Sequence, residues 1–245
     1  MDAIITEESF LDFKCPYCGN PVSFPQDTAG HVQECPNCTE SVIVPDDGSE
    51  AGRPLPFPLA TPRLVLRRFQ PGDWKDLLEI VSDEEMFRYG EGRPLGEEEV
   101  LGWLETDRHV KLTTANQPFY LGIQLPDGGK LVGYATLSFA EPQRLQAELR
   151  VTVGRGHQRT GLATEAVAVL LSFCFDGIAL HRVTARCDPR NLAAGRVCDK
   201  VGLRREGVFQ QDHLLNGEWA DTAWYAMLNK EYRAADNAAA PPGAA

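Results

Sequence analysis

Between residues 60 and 232 the apolar positions follow two spacings in turn. Leu64–Phe69 (LVLRRF) reads as a short strand, and Asp73–Val81 (DWKDLLEIV) as an amphipathic helix with Asp73 placed to cap its start. Glu97–Leu112 predicts a second helix, with Val100, Leu101, Trp103 and Leu104 on its apolar side. Phe119–Leu125 and Leu131–Phe139 predict strands flanking the turn sequence PDGGK, a hairpin signal. Ala147–Val153 alternates as a strand, and Gly161–Phe175 is apolar enough for a buried helix. Arg182–Asp188 reads as a strand, Leu192–Val201 as a helix stopped by Gly202, and Arg204–Gln210 and Ala220–Leu228 as closing strands. The order βααβββαβαββ predicts an α/β fold with a mixed central sheet.

The ends of the chain lack this pattern. Residues 47–59 predict a linker, because the stretch AGRPLPFPLATP from Ala51 to Pro62 is dense in proline and favours extended, unpaired backbone. Residues 233–245 (RAADNAAAPPGAA) carry no core-forming pattern and predict a disordered tail.

Ahead of the linker stand two CxxC pairs, Cys15-Pro-Tyr-Cys18 and Cys35-Pro-Asn-Cys38, separated by sixteen residues. Two residues between paired cysteines let a tight turn aim both sulfurs at one point, and four thiolates satisfy tetrahedral Zn2+. Pro16 and Pro36 favour the turns, and Gly19 stands where a positive φ is expected. Disulfides or a redox CxxC are the competing chemistries. The first is disfavoured inside a cell, and the second needs one pair at a helix start rather than two. Residues 12–46 resemble a zinc ribbon, with Cys15, Cys18, Cys35 and Cys38 as ligands of a structural Zn2+. So small a segment would draw folding energy from the metal. His31 reads as a surface residue.

Charge narrows the partners. The 245-residue chain carries a net charge of -11, and residues 1–58 hold ten acids against Lys14 and Arg53. Nucleic-acid binding depends on cations that neutralise phosphates, so no direct nucleic-acid partner is expected. No apolar run reaches the roughly 18 residues of a membrane span. The acidic N-terminus lacks a secretory pattern, and a cytoplasmic protein is expected.

The segment with the most chemical content runs from Glu148 to Ala166 (ELRVTVGRGHQRTGLATEA). A predicted strand enters a loop with glycines at 154, 156 and 161 and passes directly into an apolar helix. A helix's first turn has unpaired N–H groups and partial positive charge, so it holds an anion where the backbone is bare enough to approach. Gly161 and Ala163 keep it bare, and Arg155 and Arg159 add charge. The nucleoside-triphosphate loop GxxxxGK[ST] and the dinucleotide fingerprint GxGxxG are both absent.

Gln158-Arg159-Thr160-Gly161-Leu162-Ala163 resembles the Q/R-x-x-G-x-G/A signature of the GNAT superfamily of acetyl-CoA-dependent N-acetyltransferases. Leu180–Gly207, Asn216–Asp221, Tyr225–Leu228 and Thr61-Pro-Arg-Leu-Val-Leu-Arg67 are similar to its RimJ/RimL-type branch, which acetylates protein N-termini and small amines. The resemblance spans about residues 60–230 and implies a GNAT domain over 60–232. It also implies that the amides from Arg159 to Thr164 hold the acetyl-CoA pyrophosphate, with Gln158 beside them. Val151 and Val153 are implied to pair with the pantetheine arm, and Asn191 to reach the cofactor. For Asn191 an N-cap of the following helix is an equal alternative.

Acetyl transfer needs a neutral amine, so a proton must be taken directly or through water. Glu148 stands where related enzymes place such a carboxylate, although a partnership with Arg150 competes. Asp221 is a lesser candidate, and Glu206 reads as a partner of neighbouring arginines. The resemblance breaks at Ala194, where relatives commonly have a serine near the CoA sulfur. Tyr225 or water is left to protonate the leaving thiolate. Cys187 and Cys198 read as buried apolar residues. An interaction protein with a weak or inactive acetyl-CoA site, its ribbon docking a protein partner, is the alternative to the enzyme.

Overall fold

The computed structural model describes residues 9–126, 129–140 and 145–239. The N-terminal part contains a hairpin of β1 (Phe10–Lys14) and β2 (Pro21–Pro25). Beside it lies a three-stranded sheet of β3 (Val32–Glu34), β4 (Ser41–Ile43) and β5 (Arg53–Pro54). β6 (Leu59–Ala60) and β7 (Val65–Arg67) open the main sheet, followed by α1 (Trp74–Val81) and α2 (Glu97–Asp107). Then come β8 (Pro118–Gln124), β9 (Leu131–Ser138), β10 (Gln146–Val153), α3 (Leu162–Ser172), β11 (Arg182–Cys187) and α4 (Leu192–Lys200). β12 (Arg204–Leu215), β13 (Glu218–Leu228) and α5 (Asn229–Ala239) close the chain.

The eight-stranded sheet has the order β12-β13-β11-β10-β9-β8-β7-β6, and only β10 and β11 are parallel neighbours in it. Its mixed α/β character and every helix expected between 60 and 232 are present. Side chains alternate across it. Leu121, Leu137, Leu149 and Val183 join Leu162, Ala166 and Leu170 of α3 in the main core. On the opposite face α1 and α2 bury Leu77, Ile80, Val100 and Leu104.

Expectations for the helices, the linker and the tail need correction. α2 stops at Asp107 rather than Leu112, because the Arg68 guanidinium takes the main-chain carbonyls of Asp107 (2.5 Å) and Val110 (3.3 Å). Asp73 does not cap α1. It is buried, accepts the Gln70 amide (2.7 Å), and forms a two-point ion pair with Arg67 (2.8 and 2.9 Å). The linker is not loose: Arg53 and Pro54 pair with β4, while Phe57 packs on Phe119 and Phe173 with ring centroids 5.6 and 5.0 Å apart. Finally, residues 233–239 continue α5, where Arg233 reaches Asp176 (2.7 Å), while 240–245 lie outside the described residues. The turn residues Asp127 and Gly128 also lie outside them, although β8 and β9 pair as the hairpin signal requires.

The N-terminal part has its own small core of Phe13, Cys15, Val22, Cys35, Val42 and Val44. It is not separate from the rest. Ile43 belongs to the main core, Val32 packs against it, and Lys111 pairs with Glu34 at 3.5 Å. Among the described residues no helix is long and apolar enough to cross a membrane.

Candidate functional site

The site begins where two parallel strands part. β10 and β11 pair at Gln146↔Arg182, Ala147↔Val183 and Glu148↔Thr184, and there the pairing ends. Both strands continue, to Val153 and Cys187, with a gap opening between them. The Gly154 amide donates to the Val132 carbonyl (2.8 Å) on the β9 side. Alternation along the strand sends the main-chain groups of Thr152 and Arg150 the same way, and those of Val151 and Val153 into the gap. In agreement, the Val153 carbonyl accepts from Gln158 Nε2 at 3.0 Å. Gln158 thereby ties the loop back to the strand.

The loop then turns sharply. Arg159 has φ 62 and Gly161 φ 87, both in the left-handed region. The first hydrogen bond of α3 runs from the Glu165 amide to the Gly161 carbonyl (3.1 Å), so the amides of Leu162, Ala163 and Thr164 have no partner within the helix. Arg159, Thr160 and Gly161 are exposed. A brace that sequence reasoning missed holds this turn. Arg63 donates through Nη1 to the Thr160 carbonyl (3.0 Å) and through Nε to Glu165 (2.6 Å), whose other oxygen accepts from Thr61 (2.6 Å). These bonds outweigh burial and hold the Glu165 carboxyl below its ordinary range. Thr61 and Arg63 were visible only as the start of a strand motif, with nothing to link them to a helix a hundred residues later.

Glu148 projects from the opposite face of β10 to Val151 and Val153. Its Oε1 accepts from Arg150 Nε (2.6 Å) and Arg186 Nε (2.9 Å), so the competing partnership with Arg150 is real and a second arginine joins it. Around it on that face lie Tyr134, opposite Thr152 in the β9–β10 register, and Trp224, opposite Arg186. Asp221 instead accepts the Gln211 amide (2.9 Å), and Glu206 pairs with Arg182 and Arg204, as expected for it.

Tyr225 lies on the α4 side. A Cβ at Gly195 would stand 3.2 Å from the Tyr225 hydroxyl, so the absent side chain makes room for it. Burial raises its pKa, with the nearby Cys187 and Cys198 adding to the effect. Burial likewise raises both thiols, Cys198 to about 12, which suits apolar residues and not nucleophiles. Asn191 caps α4, its side-chain oxygen accepting the Ala194 amide at 3.1 Å.

The four cysteines converge. Their sulfurs lie within 4.8 Å of one another, with Cys15–Cys38 at 3.7 Å and Cys18–Cys35 at 3.9 Å. A disulfide would need about 2.05 Å, whereas sulfurs at tetrahedral corners about 2.3 Å from Zn2+ are about 3.8 Å apart. The donor set therefore fits the metal. The two knuckles match bond for bond: Gly19 N–H to Cys15 O (2.9 Å) and Thr39 N–H to Cys35 O (2.8 Å). Burial opposes ionisation of Cys35, but hydrogen bonds from the amides of Cys38 and Asn37, together with the Cys15 and Cys38 side chains, outweigh it and lower the thiol.

With this geometry in hand, comparison with known proteins decides the family. The acetyltransferase (GNAT) domain profile matches residues 63–204. The chain belongs to the GNAT family. YnaD of Bacillus subtilis, an uncharacterised N-acetyltransferase, is 28% identical over 176 residues, covering 71% of this chain and 98% of that protein. The ribosomal protein uS5-alanine N-acetyltransferase of Escherichia coli is 26% identical over 115 residues, 46% of this chain and 59% of that protein. A GNAT acetyltransferase structure from Bacillus anthracis superposes with a TM-score of 0.64 at 27% identity, covering 71% of this chain and 99% of that one. This GNAT chain is thus an N-acetyltransferase with acetyl-CoA as co-substrate.

Proposed function

We propose that this GNAT enzyme transfers acetyl directly to a primary amine, on a protein N-terminus or a small molecule, with no covalent enzyme species. The parting of β10 and β11 beyond Glu148 carries this reading, because it turns the main-chain groups of Val151 and Val153 into the gap. The amides from Arg159 to Thr164 hold the pyrophosphate at the mouth of the gap. Val151 and Val153 pair with the pantetheine arm and polarise the acetyl carbonyl, as fixed amides do well for a developing oxyanion. Asn191, its oxygen spent on the cap, has its side-chain NH2 to offer the cofactor.

Glu148 takes the amine proton through a bridging water, since two guanidiniums already occupy one of its oxygens. The Tyr225 hydroxyl returns a proton to the thiolate in place of the serine missing at Ala194. Cys15, Cys18, Cys35 and Cys38 hold a structural Zn2+. Four thiolates leave no open position, so the metal supplies folding energy and no chemistry. A protein partner would meet the outward side of this module, where Phe10 and Tyr17 are exposed.

Incubation with acetyl-CoA and a panel of N-terminal peptides and small amines tests the reading by release of free thiol. The expected result is amine-dependent release, slowed about 10²–10⁴-fold in Glu148→Gln. Binding of CoA with no amine modified would favour the second reading, an acetyl-CoA-binding protein without turnover. Ala194 and the double pairing of Glu148 are the observations on its side.

A further inference from the structure

The acceptor itself is narrowed by the arginines around Glu148. Arg150 and Arg186 each spend Nε on the same oxygen, Glu148 Oε1, which sets the two guanidiniums side by side. Among the described residues, their terminal nitrogens donate to no protein acceptor. Arg186 also lies over the Trp224 ring (5.8 Å to the centroid), which holds its plane. Both side chains stay open to solvent, 47% and 36% exposed.

The charge balance at this point is unlike that of the molecule. Two guanidiniums face one carboxylate, a local surplus of one positive charge in a chain of net charge -11. The cofactor cannot absorb the surplus. Its diphosphate belongs to the amides after Val153, and Arg150 projects from the face of β10 opposite to the α3 side. What reaches these nitrogens is the acceptor.

We propose that Arg150 and Arg186 form a two-pronged site for a carboxylate that the acceptor carries close to its amine. The proposal rests on the transferase reading above and names its substrate class. Guanidinium forks match a planar carboxylate in two-point contacts, which are stronger than neutral hydrogen bonds. A single carboxylate balances the surplus of one charge, whereas a phosphate, at about -1.5 to -2, overshoots it. A polyamine brings further positive charge to the same place and is repelled. Glu148 serves both parts of the site, orienting the arginines through Oε1 while the amine proton leaves through water.

The test is calorimetric and uses product analogues, so it does not depend on turnover. The full chain, loaded with CoA, is titrated with an N-acetyl amino acid, its carboxamide, and N-acetylspermidine. The acid is expected to bind about tenfold or more tighter than the other two, the scale of a charge-assisted pair. Arg150→Gln and Arg186→Gln should each remove most of that difference while CoA affinity is retained. The proposal is overturned if acid and carboxamide bind alike, if none of the three binds, if the polyamine binds best, or if both variants keep the preference for the acid. Absence of heat with CoA itself would instead remove the transferase reading on which the proposal stands.

Discussion

Val42 and Ile43 are neighbours on one three-residue strand, yet their side chains enter different cores. Val42 packs with the cysteine knuckles, and Ile43 packs with the transferase core behind the sheet. Alternation along a strand makes this unavoidable once β4 lies between the two bodies. The cysteine module and the transferase domain are therefore expected to lose structure together.

A stability measurement follows from that shared strand. Cys15→Ser, or a chelator that strips the proposed metal, should lower the melting of the whole chain in one transition, followed by circular dichroism. Ile43→Ala should cost about 2–5 kcal/mol, as large-to-small changes in a packed core do. Two separate transitions, only one of them sensitive to chelator, would contradict a shared core.

The second knuckle carries a strain that the first avoids. Thr39 has φ 62 where the matching position holds Gly19 at φ 72. A branched side chain in the left-handed region costs about 1–2 kcal/mol. Thr39→Gly is expected to raise stability by about 1 kcal/mol and Gly19→Thr to lower it comparably, both read from denaturant midpoints. Nothing lies within 4 Å of a Cβ built at Gly19, so the second change reports backbone strain alone.

Glu165 links acid stability to the loop. Its carboxyl is held below the ordinary value of 4.5 by bonds from Thr61 and Arg63 that outweigh its burial. The stabilisation from a carboxyl depressed in the folded state is present above its unfolded pKa and is lost as pH falls through the lower folded value. Glu165→Gln should therefore weaken the chain at neutral pH and flatten its loss of stability below about pH 4.5. Arg63→Gln should loosen acetyl-CoA binding severalfold by freeing the Thr160 carbonyl. Unchanged affinity in that variant would remove the brace from the cofactor site.

Much of this architecture is written locally. The positions of the helices, the hairpin between β8 and β9, the glycine turn and the paired CxxC knuckles each rest on a short run of residues with its own physical signature. What escaped depends on distant partners. Asp73 reads as a helix cap until Arg67 claims it, and α2 reads as longer until Arg68 takes its last carbonyls. The brace of Arg63 on Glu165 and the meeting of Arg186 with Glu148 join segments far apart in the chain. The Asn216-Gly217 turn was missed although its signal is local, an Asn-Gly pair with φ 52 and 83, and it extends β12 and β13 beyond the shorter strands expected there.

The hydroxyl of Tyr225 can be tested apart from binding. Tyr225→Phe removes the oxygen and little else from a buried position beside Gly195. If this group protonates the leaving thiolate, kcat should fall about 10²-fold or more while acetyl-CoA affinity stays. A variant with wild-type kcat would assign that proton to water.

The seat for acetyl-CoA is the claim on which the rest stands, and calorimetric titration of the full chain with acetyl-CoA tests it most directly. Binding at one site per chain is expected, weakened about tenfold or more in Gly161→Val, because a branched side chain strains the φ of 87 at that position and covers the amides behind it. An absence of heat with the wild-type chain, or equal affinity in the Gly161→Val variant, would contradict the account.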